Sequence, residues 1–207
     1  MTQHMHRHRG LALPTLMVML SVASLAALLA MRNLWVNDQL LNAEADQVRT
    51  QQQAEAVLPI AVQDILGHAT TPLRHTMGTP TDTHVFFPNT QTEYNVLQQR
   101  LGAASCQEGI CAPASTSVAT LQKASDWKIQ TPTAIAINTG DAPDGANTAW
   151  YWVEVYPEEN TGAFMYRITA LAQGVSHSST SVVQAIWQRT SPNSTTGHWL
   201  SWHVLRD

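Results

Sequence analysis

The sequence predicts an α+β fold in which a long N-terminal helix packs on a C-terminal antiparallel sheet. One observation is a 21-residue stretch without charge, Leu11 to Met31, followed by a helix-compatible amphipathic segment that reaches Leu66. The other is a set of four runs near the chain end, rich in aromatic and β-branched residues and separated by turn-forming residues. Helix-forming sequence therefore precedes strand-forming sequence.

The first ten residues, 1–10, are short, polar and basic, and they end in Arg9-Gly10. Residues 11–31 then form an apolar run, and about 20 apolar residues in a helix span the hydrocarbon core of a bilayer. Because arginines precede the run, the N-terminus is expected to stay cytoplasmic and the rest of the chain to be exported. We therefore predict a single-pass protein of the inner membrane with a periplasmic head.

Three interpretations of this start compete. A secretory signal has a shorter apolar core and a small-x-small cleavage site; Ser24-Leu25-Ala26 has that form, but the apolar run continues beyond it. An uncleaved anchor explains the hydropathy alone. A prepilin leader, cut after Gly10 on the cytoplasmic side, also explains the basic residues and the glycine that directly precede the run.

Residues 32–67 continue the helix in amphipathic form. Apolar residues follow a heptad spacing, with a neighbouring stripe beside it: Leu34, Leu41, Val48 and Val62, then Leu58 and Ile65. Pro59 is expected to kink or break the helix because proline lacks a backbone donor. Gly67 is expected to end it.

The remaining chain, 68–207, is predicted to form the globular head. Residues 68–147 are mostly loop, with a short helix at about 91–101 capped by Thr92 and a strand at 133–138. The meander, 149–205, comprises Ala149–Tyr156, Ala163–Ala172, Thr180–Thr190 and His198–Leu205. Its tryptophans are expected to supply much of the area buried against the helix: Trp150, Trp152, Trp187, Trp199 and Trp202.

Several short motifs resemble one family. Near the N-terminus they are Arg9-Gly10-x-Ala12-Leu13, Ala30-Met31-Arg32-Asn33 and Ala54-Glu55-Ala56-x-Leu58. Near the other end they are Phe164-Met165-Tyr166-Arg167-Ile168-Thr169-Ala170 and Val182-Val183-Gln184-Ala185-x-Trp187. Both sets are similar to PilX-type minor pilins of the type IV pilus, which implies a type IV pilin-like fold.

The resemblance implies a site and a set of partners. Prepilin peptidase would cut between Gly10 and Leu11, and Leu11 would be N-methylated. The chain would join other minor and major pilins and a large tip adhesin in a complex that primes pilus assembly. Major pilins typically carry a glutamate where this chain has Thr15, which favours a minor pilin.

Two other functions stay open from the sequence. A K-type pseudopilin of type II secretion often lacks the same glutamate, but it normally carries a larger inserted head. A membrane-tethered periplasmic binding or enzyme domain would keep an uncleaved anchor. The state of the N-terminus separates these classes.

The two cysteines, Cys106 and Cys111, stand close together around Gly109. In an oxidising compartment such a pair forms a small disulfide loop, with free thiols as the alternative. A zinc site would need two further ligands, and no second Cys pair or His-x-x-x-His motif supplies them.

Other chemistry is disfavoured. With 11 Lys and Arg and a net charge of -4, the chain lacks a basic footprint for nucleic acid. No catalytic, phosphate-binding or dinucleotide motif is present, so no enzyme activity and no cofactor are expected. His4, His6 and His8 are explained by leader basicity, and His198 and His203 by ordinary strand positions. The acidic loop 139–147 does not match an EF-hand and is predicted to be a turn rather than a calcium site.

Overall fold

The computed structural model describes residues 12–67, 84–102, 106–112, 121–138, 149–158, 162–174, 179–191 and 194–206. The chain divides into two compact units, Met1–Ala45 and Asp46–Asp207, and each is described by itself. A long apolar helix lies near the N-terminus and a mostly antiparallel sheet lies toward the C-terminus. The predicted α+β class is therefore confirmed.

Helix α1 extends from Ala12 to Ile65 without interruption, so the prediction of a break at Pro59 is wrong. Proline removes one backbone donor from the helix, but Pro59 is exposed, and water can reach the carbonyl that loses its partner. Gly67 ends the helix as predicted. Its φ of 76° is the left-handed conformation that glycine adopts at helix ends, and its N–H donates to the Asp64 carbonyl at 3.0 Å.

Seven strands form one sheet: β1 Cys106–Gln107, β2 Ile110–Cys111, β3 Ile135–Ile137, β4 Ala149–Pro157, β5 Phe164–Gln173, β6 Thr180–Arg189 and β7 Gly197–Leu205. The main order is β1-β2-β4-β5-β6-β7, and β3 also pairs with β4. All four predicted meander strands are present and antiparallel. Strand β2 departs from this pattern, since it runs parallel to β4 with Ile110 opposite Val153. The strand predicted at 133–138 is shorter, because residues 131–133 form a 3₁₀ turn.

Two short helices flank the sheet. Helix α2, Gln91–Leu101, occupies the predicted segment, but its N-cap is Thr90 and not Thr92. The Thr90 hydroxyl accepts the N–H of Glu93 at 3.2 Å, so the Thr-x-x-Glu pattern marks the true start. Helix α3, Ala124–Ile129, is not anticipated by the sequence analysis, and its Trp127 is buried.

The main core lies between the second part of α1 and one face of the sheet. Alternate strand residues such as Val153, Ile168 and Val183 point to the helix and are fully buried. The helix contributes a buried stripe to this core: Ala54, Val57, Leu58, Ala61 and Ile65. Within the unit Asp46–Asp207, the expected packing of helix on sheet is confirmed.

Tryptophan burial follows strand position. Trp152 and Trp187, on inner strands, are 1% and 4% exposed. Trp199 and Trp202 on β7 are 46% and 49% exposed, so the prediction that they supply core area is wrong. Strand β7 lies at the edge of the described sheet, and its outer side chains have no neighbouring strand to cover them.

Candidate functional site

The first part of α1 exposes nearly every large apolar side chain that it carries. Between Leu13 and Leu29 these side chains are 59 to 71% exposed. This is the one helix in the described residues that is long and apolar enough to cross a membrane. A core helix of a soluble protein would bury such residues, so an apolar environment outside the chain is their natural partner.

Polar groups inside this apolar stretch are satisfied within the helix. The hydroxyls of Ser21 and Ser24 each donate at 2.8 Å to the carbonyl one turn earlier, those of Met17 and Leu20. Such back-bonding removes the cost of placing a hydroxyl in lipid. The segment can therefore enter a bilayer without an unpaired side chain at either serine.

The apolar surface does not stop where the uncharged run stops. Leu34, Trp35, Leu40 and Leu41 are 62 to 69% exposed and alternate with polar residues. In the predicted heptad, Leu34, Leu41 and Val48 are all exposed, whereas Val62 contacts the core. The predicted heptad residues are therefore exposed at three of their four positions.

The predicted processing site lies outside the described residues. Gly10 and Leu11 both precede the first described residue, as do His4, His6 and His8. Thr15 lies within the first turns of helix α1. The acidic loop 139–147 is likewise outside the described ranges.

Helix α1 is tied to the β5–β6 hairpin near residue 46. The Ser179 hydroxyl donates to the Asp46 carboxylate, and the Thr50 hydroxyl donates to the Asp46 carbonyl at 2.6 Å. Gly174 closes the hairpin by donating its N–H to the Ser179 carbonyl at 2.9 Å. A Cβ at Gly174 would overlap Ser179, Asp46 and Thr50, so only glycine allows this close approach.

A second set of polar contacts ties the end of the same helix to the sheet. The Tyr151 hydroxyl donates to the Asp64 carboxylate at 2.7 Å. Arg189 donates to the Ile65 carbonyl at 3.0 Å and to the Asn89 side chain at 2.7 Å. A cation on the last carbonyls of a helix is favourable because those groups carry partial negative charge.

The two C-terminal motifs lie on the neighbouring strands β5 and β6, and their polar residues point to the face of the sheet opposite α1. Thr169 of the first motif stands opposite Gln184 of the second, and the Gln184 amide donates to the Thr169 hydroxyl at 3.0 Å. Arg167 of the first motif donates twice, at 2.5 Å, to Glu154 on strand β4. Polar residues from neighbouring strands therefore form one largely buried layer, with Thr169 0%, Gln184 8% and Glu154 1% exposed.

Glu154 is the residue that the sequence analysis missed. It is 1% exposed within an apolar strand, and the Tyr156 hydroxyl donates to it at 3.1 Å. The hydrogen bond with Glu154 raises the pKa of Arg167. Burial, then the charge of Glu154, raise the pKa of Tyr156 to about 12. A carboxylate in an apolar strand indicates that a cation or hydrogen-bond donors must lie near it if it is buried.

Cys106 and Cys111 form a disulfide across the β1–β2 hairpin. The hairpin tip is held on both sides, since Gly109 donates to the Thr133 carbonyl and accepts from the Val153 N–H, both at 2.7 Å. Glu108 lies 2.6 Å from the ring of His84. The disulfide and these backbone hydrogen bonds therefore hold the β1–β2 hairpin against β4, with which β2 pairs in parallel.

No group of three or more His, Cys, Asp or Glu side chains in the described residues could hold a metal ion. His198 and His203 are exposed on β7, as ordinary strand residues would be. No family model, no curated protein and no solved structure matches this chain. Function is therefore inferred below from the chain's own residues and contacts.

Proposed function

We propose that this chain is a minor pilin-like protein, anchored in the inner membrane by helix α1 and taking part in type IV pilus assembly. The observation that carries the proposal is that two parts of one unbroken helix, Ala12–Ile65, differ in the burial of their apolar side chains. Its first part exposes apolar side chains, and its second part buries one stripe under a sheet. A subunit of a helical fibre needs both properties, because its helix first rests in lipid and then packs among other helices.

The short motifs support a minor rather than a major pilin. Thr15 occupies the position where major pilins typically carry a glutamate, and Arg9-Gly10 supplies a prepilin-type leader end. The strand motifs that resemble the PilX type contact each other through Thr169 and Gln184. Because the two motifs lie on paired strands and contact each other, they support the PilX-type resemblance more strongly than two unrelated short sequence matches would.

The partners follow from the proposal. Prepilin peptidase acts on the leader, other minor and major pilins contact the helix, and a tip adhesin joins the same priming complex. The exposed stripe beyond the uncharged run, which includes Leu34 and Leu41, is the surface that such helices would cover. No nucleic acid and no cofactor are part of the proposal.

The test is the mature N-terminus of the full chain. The chain is produced in the inner membrane with and without an active prepilin peptidase, purified, and its N-terminal peptide identified by mass spectrometry. The proposal expects a chain that starts at N-methylated Leu11 only when the peptidase is active. An intact leader in both samples, or a start at Ala27, would overturn it.

A matched pair of variants separates processing from folding. Gly10→Leu is expected to keep its leader and to be absent from sheared pili, while remaining in the membrane fraction. Gly67→Asn, which changes a different glycine at a position where asparagine tolerates the left-handed conformation, is expected to be cut and assembled normally. Recovery of the chain with a type II secretion complex and not with pili would favour the pseudopilin alternative.

A further inference from the structure

Strand β7 carries two half-exposed tryptophans on one face. It pairs with β6 at the edge of the described sheet, and the pairing shifts by one residue at Ile186/Trp187. The shift places Trp202 opposite Ala185 and Trp199 opposite Trp187. Although the two exposed tryptophans are three positions apart, which would place them on opposite faces of a regular strand, the bulge turns both to the helix-facing side.

Trp202 opens onto a cleft of about 640 Å³. This volume falls within the range of about 300–1,000 Å³ that is usual for small-molecule sites. The polar groups of the lining come from helix α1, from the start of β6 and from the residue after β7: Gln47, Gln51, Thr180, Ser181 and Arg206. The cleft thus combines one indole ring with amides, hydroxyls and a guanidinium.

Two of these polar side chains, Gln47 and Arg206, are exposed. Arg206 is exposed and makes no ion pair with another described residue, and Gln47 likewise makes no hydrogen bond within the described ranges. The Gln51 amide donates to Glu55 at 2.9 Å, which fixes its orientation. A guanidinium presents a planar fork of donors that matches a carboxylate, and Arg206 lines the same cleft as the Trp202 indole.

We infer that this cleft binds an acidic oligosaccharide, with a sugar ring stacked on Trp202 and its carboxylate on Arg206. The C–H face of a pyranose is apolar and fits an indole, while its ring of hydroxyls needs the amide and hydroxyl partners that line the cleft. Trp199 extends the aromatic surface for the next sugar. This inference does not depend on a role in pilus assembly.

Other ligand classes fit the lining less well. An apolar peptide would cover the amides and the guanidinium without giving them hydrogen-bond partners, which costs free energy. Nucleic acid would need several cations along a groove, whereas Arg206 supplies the one charge among the cleft residues named above. A neutral sugar would stack on Trp202 but leave Arg206 unused.

The test measures binding to the full chain in phosphatidylcholine nanodiscs, which keep sugar-headed detergents away from the site. The probes are tetragalacturonate, which carries carboxylates, and cellotetraose, which does not. Calorimetry and tryptophan fluorescence are expected to show tetragalacturonate binding at least tenfold more tightly, with an affinity that falls as salt rises.

Variants assign the contacts. Arg206→Gln is expected to weaken tetragalacturonate binding about tenfold, as loss of a charge-assisted hydrogen bond does, and to leave cellotetraose unchanged. Trp202→Ala is expected to remove binding of both sugars, and Trp202→Phe to retain part of it because a ring face remains. Arg49→Gln and Trp35→Ala are the controls, because Arg49 and Trp35 are exposed and neither lines the cleft.

Each outcome bears on the inference. Equal affinity for both probes, or unchanged affinity in Arg206→Gln, would overturn the role of the carboxylate. No binding of either probe by the wild type, or binding that Trp202→Phe and Trp202→Ala leave intact, would overturn the site. Unchanged thermal unfolding of Arg206→Gln and Trp202→Phe shows that lost affinity is not lost folding.

Discussion

Arg167 stands directly opposite Glu154 across strands β5 and β4 and donates two hydrogen bonds of 2.5 Å to its carboxylate. The two partners differ in exposure, since the side chain of Glu154 is 1% exposed and that of Arg167 is 29% exposed. The ring of Tyr156 lies under the guanidinium, with 5.5 Å from its centroid to the Arg167 carbon. The pair is therefore buried at its acidic end and open at its basic end.

This asymmetry predicts that substitution of Arg167 and substitution of Glu154 lower the free energy of unfolding by different amounts. Arg167→Leu leaves a buried carboxylate without its cation and is expected to lower the free energy of unfolding by about 3 kcal/mol or more. Glu154→Leu is expected to cost less, because Arg167 can turn toward water. Urea unfolding of both variants and of the double variant, which is expected to recover part of the loss, measures the difference. Equal losses would contradict the assigned asymmetry.

Tyr166 predicts a loss of stability in alkali. Its hydroxyl is buried and has no hydrogen-bond partner among the residues that the structure describes, and burial raises its pKa to about 12. In the unfolded chain a tyrosine loses its proton near pH 10, about two units earlier than in the folded chain. The unfolded state therefore binds fewer protons between pH 10 and 12, and stability falls there as pH rises, by up to about 2.7 kcal/mol at about 1.36 kcal/mol per pKa unit.

Tyr166→Phe removes the titrating group and the unpaired hydroxyl together. We expect unchanged or slightly greater stability at pH 7 and a smaller loss between pH 10 and 12, measured by urea unfolding across that range. Tyr156→Phe is the matched control for stability at pH 7, because its hydroxyl donates to Glu154 and its loss is expected to cost about 1 kcal/mol. The pKa of Tyr156 is also raised to about 12, so this variant too is expected to reduce the loss between pH 10 and 12. A Tyr166→Phe variant that is clearly less stable at pH 7 would argue against an unpaired hydroxyl.

The disulfide predicts a modest gain in stability from a short loop. Closing the segment between Cys106 and Cys111 removes chain entropy worth about 2 kcal/mol in the loop-entropy relation. Reduction is expected to lower the thermal midpoint by several degrees and to increase hydrogen exchange at Ile110. A Cys106→Ser, Cys111→Ser variant is expected to show the lower midpoint without any response to reductant. If the reductant lowers the thermal midpoints of the wild type and of the double variant equally, its effect does not come from this disulfide.

Gly174 predicts a steric effect at the β5–β6 hairpin. Gly174→Ala places a methyl group against the Ser179 hydroxyl and is expected to cost about 1–3 kcal/mol, as overpacking does. The same change in a Ser179→Gly background is expected to cost less, since the nearest atom is gone. Urea unfolding of the four proteins gives the coupling energy. A coupling near zero would mean that the Ser179 side chain does not limit this position.

Much of the fold could be predicted from local patterns. The four meander strands follow from runs of aromatic and β-branched residues, and the end of α1 follows from Gly67. The cap of α2 was assigned to Thr92, although Thr90-Gln91-Thr92-Glu93 contains the Thr-x-x-Glu pattern that marks Thr90. The Thr-x-x-Glu pattern therefore predicts the cap at Thr90 from the sequence alone.

Other features depend on register and could not be predicted in the same way. Aromatic content alone cannot reveal that β7 is an edge strand or that a bulge turns Trp199 and Trp202 to one side. Glu154 becomes meaningful only when the strand pairing places Arg167 opposite it. The parallel pairing of β2 with β4 depends on a two-residue strand, too short for a periodic pattern.

The hydrogen bonds between α1 and the β5–β6 hairpin also affect the order in which the head folds. The contacts Asp46–Ser179, Thr50–Ser179 and Ile65–Arg189 join residues 133, 129 and 124 positions apart. Such contacts form slowly, because a long loop must close before any of them is made. During synthesis the helix emerges well before strands β5 and β6, and its core-facing stripe must wait uncovered until they arrive. A chaperone or the membrane surface would have its greatest effect on yield in that interval.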